Sequence, residues 1–230
     1  MKIKTLMRGV ICLWIGAFTG QAAVIVTTGT LPPTEFEVAN PLPEEDIGSL
    51  SWRWTTENDR RDIGQQFQVA EAFTLSSIVI HSPGASPTTD TRNFSVIIES
   101  FADTSLSSAR TTVSEQTGVL PSIGLGGYLT FELETPVAIE ANTRYGFRLA
   151  FAEPLSTNSY AVQQVVGQTS YPYAHYQINY SSSSTPSGLN ARMVFYLVPI
   201  PEPTSGVLLL GAVAGIGILG RRRKTTVRHP

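Results

Sequence analysis

The residues with the clearest chemical potential lie near the C-terminus. Pro201, Glu202 and Pro203 stand directly before Thr204–Gly220, which carries no charge, and the basic run Arg221, Arg222, Arg223 and Lys224 follows. Two prolines keep a segment extended and remove backbone donors, so a protease can bind it as a strand. The apolar segment reaches about 25 Å as a helix, and snorkelling arginines cover the rest of a bilayer core. The pattern predicts a proteolytic target at the outward-facing surface of the membrane that the helix spans, with the basic cluster in the cytoplasm.

This arrangement resembles the PEP-CTERM sorting signal of bacterial exported proteins, over residues 199–224. The resemblance implies recognition by an exosortase, a membrane-embedded cysteine protease and transpeptidase-like enzyme. It also implies a Gram-negative bacterium that makes extracellular polysaccharide. The protein would be anchored transiently in the inner membrane by its C-terminal transmembrane helix, and would then be placed at the cell surface or in the extracellular matrix.

The N-terminus has the three regions of a secretory signal peptide. Basic residues up to Arg8 precede the apolar run Val10–Phe18, and small residues occupy Gly20 and Ala22, the −3 and −1 positions of a signal-peptidase site. Nine helical residues span only about 14 Å, which is too short to cross a bilayer. We therefore expect signal peptidase to remove residues 1–22 and the rest of the chain to be exported.

The charge distribution excludes one class of partner. Residues 23–203 hold eight arginines, no lysine and eighteen acids, which leaves a net charge of −10 on the exported part. Because such a domain repels phosphate backbones, we predict that it does not bind nucleic acid.

Aromatic side chains are the candidates for ligand binding. Trp52 and Trp54 share one face of an extended chain, and several tyrosines crowd residues 160–180. Flat rings with a polar tip stack on sugars, so one hypothesis is polysaccharide binding. The alternative is that the tryptophans fill the core and the tyrosines are scattered. The candidate glycan-binding residues are Trp52, Trp54, Tyr171, Tyr173 and Tyr176.

Catalytic and metal-binding motifs are missing from the sequence. It has no nucleophile elbow, no zinc-protease motif and no P-loop, and its only cysteine, Cys12, lies in the predicted signal peptide. Glu99, Glu132 and Glu134 alternate with apolar residues and are predicted to face solvent. We therefore expect a non-enzymatic protein without cofactor or metal. The alternative is a surface-located hydrolase with a dispersed acidic site, which needs acids that converge in one cleft.

Two further groups of polar residues have structural interpretations. In Asn58–Gly64, acids stand near a glycine, but Arg60 and Arg61 supply neutralising charge, so a local ion-pair network is favoured over a calcium site. His81 and His175 are expected to be surface or sheet histidines rather than ligands.

The exported part shows the period of β-strands. Apolar and polar residues alternate along Tyr128–Glu134, Tyr145–Ala152 and Arg192–Leu197, and loops rich in Pro, Gly, Ser and Asn separate such runs. Eight or nine short strands without helices predict an all-β fold, an antiparallel two-sheet sandwich. The residues predicted to face inward are Leu129, Phe131, Leu133, Tyr145, Phe147, Leu149 and Phe151.

The predicted domain organisation follows from these segments. A signal peptide covers residues 1–22, an extended Pro-rich and acidic segment 23–48, a β-sandwich domain 49–198 and the sorting signal 199–224, with a transmembrane helix at 204–220. Leu129–Phe151 looks like the strand–Pro-Val–turn–Tyr-x-Phe segment of jelly-roll modules in secreted bacterial proteins. That resemblance implies a jelly-roll-like fold. The sequence predicts a structural or adhesive surface or matrix protein.

Overall fold

The structure, a computed structural model, describes ten stretches of the chain: residues 23–41, 47–56, 59–82, 92–103, 105–120, 127–154, 160–166, 172–180, 187–189 and 191–201. The predicted signal peptide, the predicted helix 204–220 and the basic cluster 221–224 lie outside these stretches, as do Glu202 and Pro203. Within the ten stretches, no helix is long and apolar enough to cross a membrane.

The described chain consists of strands, which confirms the predicted all-β class. The fourteen strands are β1 (Ala23–Gly29), β2 (Val38–Asn40), β3 (Ile47–Trp54), β4 (Arg60–Gln68), β5 (Phe73–Ser82), β6 (Arg92–Phe101), β7 (Arg110–Leu120), β8 (Gly127–Ile139), β9 (Arg144–Phe151), β10 (Tyr160–Val166), β11 (His175–Asn179), β12 (Ser187–Leu189), β13 (Ala191–Met193) and β14 (Phe195–Pro199).

Alternation along the strands determines which side chains enter the core. In β8, Leu129, Phe131 and Leu133 are buried, whereas the intervening Glu132 and Glu134 are exposed. In β9 the alternate residues Tyr145, Phe147, Leu149 and Phe151 are buried as well, so the predicted inward set is confirmed.

The strand pairings join the elements into one sheet. The order is β13-β10-β3-β4-β9-β6-β7-β1-β8-β5-β14-β2, with β11 paired to β4 and β12 paired to β11. This sheet curls into a half-barrel. The finer prediction of two separate sheets is not confirmed, because β1 pairs in parallel with β7 and antiparallel with β8 and so connects the two halves.

The core lies inside the curl and is centred on Trp52. The indole stacks on Phe151 at 4.0 Å between ring centroids, and it meets Phe94 and Phe131 edge-on at 6.0 and 6.5 Å. Phe94 and Phe151 lie on β6 and β9, whereas Phe131 lies on β8. Trp52 therefore packs the two halves of the sheet against each other.

The predicted segment 23–48 contributes directly to the sheet. Its first residues form β1 in the middle of the strand order, and β2 pairs with β14 at the end of the order. Within this segment β2 is therefore the edge strand, while β1 is an integral strand.

Candidate functional site

The predicted sorting signal begins at the end of β14, the last strand along the described chain. In β14, Phe195 and Leu197 are fully buried and pair with Ile80 and Ile78 of β5. Apolar burial and the backbone hydrogen bonds to β5 therefore fix β14 on the domain. We call the end of the sheet at which β14 ends the base, and the opposite end the distal end.

Hydrogen bonds fix the chain up to the edge of the motif. The Ser76 hydroxyl lies 3.0 and 2.9 Å from the carbonyl oxygens of Val198 and Pro199, and the Ile200 N–H donates to the Thr74 carbonyl at 2.9 Å. The exposed Pro201 follows at once. Four extended residues span at most about 14 Å, so the predicted helix from residue 204 must begin within that distance of the base. The proteolytic target has no spacer before it.

The aromatic candidates do not form one exposed strip. Trp52 and Tyr176 are fully buried, so neither ring can stack on a sugar; for Trp52 the core interpretation holds. Trp54 and Tyr173 are partly buried, and Tyr171 lies outside the described residues. Trp54 contacts Arg60, which begins β4, whereas Tyr173 contacts Arg144, which pairs with the last residue of β4. The two half-exposed rings therefore lie at opposite ends of the sheet.

A buried group of charged side chains occupies the outer face of β4, β9 and β6. We call Asp62, Glu99, Arg148 and Tyr176 the ionic cluster. Arg148 donates from one terminal nitrogen to Asp62 at 2.8 Å and from the other to Glu99 at 3.3 Å. The Tyr176 hydroxyl donates to Glu99 at 3.2 Å. The prediction that Glu99 faces solvent is wrong, because Tyr176 from β11 extends across the sheet and covers it.

Two glycines make room for that tyrosine. A Cβ on Gly64 would collide with the Tyr176 ring, and one on Gly146 would lie 3.2 Å from its hydroxyl oxygen. Phe101 meets the same ring edge-on at 6.0 Å. Glycines inside strands thus mark a close approach, a sequence signal that could have indicated a covered outer face.

The electrostatics of the ionic cluster are those of opposite charges in contact, although the Nε of Arg148 is buried without a hydrogen-bond partner among the described residues. Burial alone would lower the pKa of Arg148, but Glu99 and Asp62 raise it above its usual value. Burial, reinforced by the charge of Glu99, raises the pKa of Tyr176 well above its ordinary value. Arg60 and Arg110 add further ion pairs, to Asp62 at 3.1 Å and to Glu99 at 3.4 Å. Two acids therefore do converge, but they converge on a guanidinium that binds both.

The ion-pair network expected around residues 58–64 is present among the described residues. Arg53 contacts Asp59 at 2.7 Å, and the guanidinium of Arg60 lies 4.3 Å from the ring centres of both Trp54 and Tyr180. A hydrogen bond from Thr55 is the main cause that lowers the pKa of Asp59; burial opposes it, and the contacts with Arg53 lower the pKa further. Within the described stretches, no three His, Cys, Asp or Glu side chains group in a way that could hold a metal ion.

The two exported histidines are both sheet residues. His81 in β5 packs edge-on against Tyr128 at 4.7 Å. His175 in β11 is fully buried, and neither ring nitrogen has a hydrogen-bond partner among the described residues. Burial, with a contribution from Arg192, lowers the pKa of His175 to about 3. This imidazole is therefore neutral at physiological pH.

Two open clefts lie at the base. One of about 400 Å³ is lined by residues that include Gln68, Asp103 and Arg144, and one of about 470 Å³ is lined by residues that include Glu37 and Glu71. Neither Asp62 nor Glu99 lines either cleft, so the converging acids and these concave surfaces are separate features.

Comparison with known protein families matches residues 199–224 to the PEP-CTERM protein-sorting motif. None of the curated proteins matches the chain. The motif found by comparison covers the same residues as the resemblance read from the sequence, and it begins at Pro199, the last residue of β14. Such a signal indicates an exported protein that is anchored in a membrane during sorting and processed by an exosortase.

Proposed function

We propose that this carrier of the PEP-CTERM sorting signal is a non-enzymatic, structural or adhesive protein of the cell surface or extracellular matrix. In this proposal, signal peptidase removes residues 1–22, the C-terminal helix holds the protein in the inner membrane, and an exosortase then cuts at the Pro201–Pro203 motif. The curled sheet, packed across Trp52, is proposed to serve as a jelly-roll-like module that the enzyme delivers outside the cell.

The single observation that carries this proposal is the direct junction between domain and motif. The match to the sorting signal starts within β14, and the last described hydrogen bond, from Ile200 to Thr74, precedes Pro201 by one residue. A rigid strand that leads into a Pro-Glu-Pro sequence, which favours an extended chain, would present the target at a defined height above the bilayer. Such presentation favours a temporary anchor over a permanent one.

The test is the mass of the protein released from a bacterium that carries an exosortase. We expect the released chain to lack residues 204–230 and so to lose about 3 kDa from its C-terminus. Deletion of Pro201–Pro203 should leave full-length protein in the inner membrane. Deletion of Thr225–Val227, of the same length but beyond the basic cluster, is the matched control and should be processed normally. A released chain that still ends at Pro230 would contradict the proposal.

Weak binding of neutral glycans is a second candidate function, favoured by one observation. Trp54, Arg60 and Tyr180 form a stack at the distal end of β4, with Tyr180 exposed at 37 %. The base carries the tail, so the distal end points away from the membrane during sorting. A net charge of −10 over residues 23–203 opposes anionic polymers, which leaves neutral sugars as the preferred ligands.

Retention on a neutral glycan matrix tests this second candidate. Tyr180→Ala should reduce retention, because it removes the exposed ring of the stack. Tyr173→Ala, which changes a half-exposed tyrosine at the base, is the matched control and should be retained as the parent is. Equal retention of both variants, with the fold intact by circular dichroism, would leave the purely structural role.

A further inference from the structure

The first strand fits into a slot between the two halves of the sheet. Ala23 and Val24 pair with Thr117 and Gly118 of β7, and residues 25–29 pair with residues 128–132 of β8. Val24 is buried at 3 % exposure within the main core. Because no other described strand joins β7 to β8, β1 closes the seam of the half-barrel.

Glycines on both walls fit the slot to the backbone of β1. A Cβ on Gly118 would lie 2.5 Å from the Val24 carbonyl oxygen, so the β7 wall admits only glycine there without rearrangement. On the β8 wall, Gly127 has a φ of +104° and lies against the carbonyl of Gly29. These are the positions at which close approach and a left-handed backbone require glycine.

The slot ends at Ala23. Directly beyond it, the Gln116 side chain spans from β7 to β8: its amide nitrogen donates to the Thr135 carbonyl at 2.7 Å, and its oxygen accepts from the Thr135 N–H at 3.1 Å. The amide thus makes both bonds that the next peptide group of an added strand would make. The place next to Ala23 between β7 and β8 is therefore filled by a side chain of the domain itself.

An acidic group stands at the same point. The backbone nitrogen of Ala23 donates to the carboxylate of Glu134, which projects from the exposed face of β8. Ala23 is also the first residue after the predicted signal-peptidase site. A neutral amide N–H occupies this position while the leader is attached, whereas a free N-terminus would place a positive charge there.

We propose that the slot between β7 and β8 is a built site for the N-terminus created by leader removal, with Glu134 as its ion-pair partner. Hydrolysis of the Ala22–Ala23 bond consumes one water: the oxygen goes to the new carboxylate of Ala22, and the amine of Ala23 takes up a proton to become an ammonium. That ammonium pairs with Glu134 and fixes the start of β1. The inference rests on the proposed function, since it requires export with cleavage after Ala22.

Leader removal therefore changes the charge at the seam. While residues 1–22 remain in the membrane, Ala23 is held at its surface, and the seam between β7 and β8 is not locked by charge. Cleavage frees Ala23 and supplies the ammonium at the same moment. The seam is locked by charge only in the processed chain.

The experiment combines two changes, acetylation of the N-terminus and substitution of Glu134, and measures hydrogen exchange of the β1 amides. Chains from Ala23 to Pro230 in detergent are compared with a free or an acetylated N-terminus, each with Glu134 or with Glu134→Gln, near pH 6.5, where an α-amino group is protonated. In the parent, acetylation should speed exchange of the β1 amides about two- to fivefold, the range of an exposed ion pair. In Glu134→Gln, acetylation should change nothing.

The matched control is Glu132→Gln, which removes an exposed carboxylate two residues away on the same face of β8. It should respond to acetylation as the parent does. An acetylation effect that persists in Glu134→Gln, or none in the parent, would overturn the inference. The N-terminal residue of the exported protein, read by mass, separates the two claims: a start other than Ala23 overturns the predicted cleavage, whereas a start at Ala23 without coupling overturns the site alone.

Discussion

The two faces of β4, β9 and β6 are both buried, but they are buried by different chemistry. The inner face contributes Phe67, Phe147 and Val96 to the apolar core, whereas the outer face carries the ionic cluster. Apolar packing has no direction, so any side chain of suitable volume can satisfy it. An ion pair needs each partner in place, since one removed partner leaves a buried charge. The comparison teaches that burial by itself does not predict how a position responds to substitution.

The largest loss is expected at the centre of the inner face. Trp52→Ala should lower the free energy of unfolding by about 3–5 kcal/mol, because it leaves a cavity between both halves of the sheet. Urea unfolding of the processed chain measures this. Trp54→Ala, a partly buried neighbour on the same strand, should cost clearly less. A larger loss for Trp54 would show that the core is centred elsewhere.

A smaller but more specific loss is expected on the outer face. Arg148→Met should lower the free energy of unfolding by about 3 kcal/mol, because Asp62 and Glu99 lose the guanidinium that binds both. The triple variant with Asp62→Asn and Glu99→Gln should recover part of that loss, since the two buried carboxylates are then neutral, and Arg60 and Arg110, which also pair with them, are still 24 % exposed to solvent. If the triple variant is no better than Arg148→Met, the cluster does not act as one electrostatic unit.

His175, in the strand β11 that pairs with β4, should make stability depend on pH. The pKa of His175 is lowered to about 3 in the fold, so the unfolded chain binds its proton near pH 6.5 and the folded chain does not. Above about pH 6.5 this group leaves the free energy of unfolding unchanged. As the pH falls from about 6.5 toward 3, the free energy of unfolding should decrease by about 1.4 kcal/mol per pH unit. His175→Gln should flatten the profile from urea titrations, whereas His81→Gln should keep it. An unchanged slope in His175→Gln would contradict the assignment.

The smallest effect is expected when the hydroxyl of Tyr176 is removed and its ring is kept. Tyr176→Phe keeps the ring over Gly64 and Gly146 and removes one hydrogen bond to Glu99, so about 1 kcal/mol should be lost. Thermal unfolding monitors the change, and Tyr173→Phe is a control at a half-exposed site. A loss equal to that of Arg148→Met would mean that the hydroxyl, rather than the guanidinium, is the main partner of Glu99.

The sequence predicted the inner face well and the outer face poorly. Period-two alternation in β8 and β9 identified seven inward residues between Leu129 and Phe151, because alternation is a local property of a strand, but it did not include the core residues Val137 and Ile139. It could not identify the burial of Glu99, because the covering ring comes from β11, far along the chain. The sorting signal was predicted because it is a linear motif. Its attachment to Thr74 was not, since that contact joins β5 to β14 across 126 residues.

The attachment of β14 also determines how the domain bears force. A pull on the tail acts along β14, whose neighbours β5 and β2 both run antiparallel to it. The backbone hydrogen bonds between these strands are perpendicular to the pull and are loaded in shear, so several must break together. A strand that is peeled from one end instead loses its hydrogen bonds one at a time. The buried Phe195 and Leu197 resist the same displacement. A surface protein held by this end would therefore keep its fold under drag that would open a domain attached through a peeling edge.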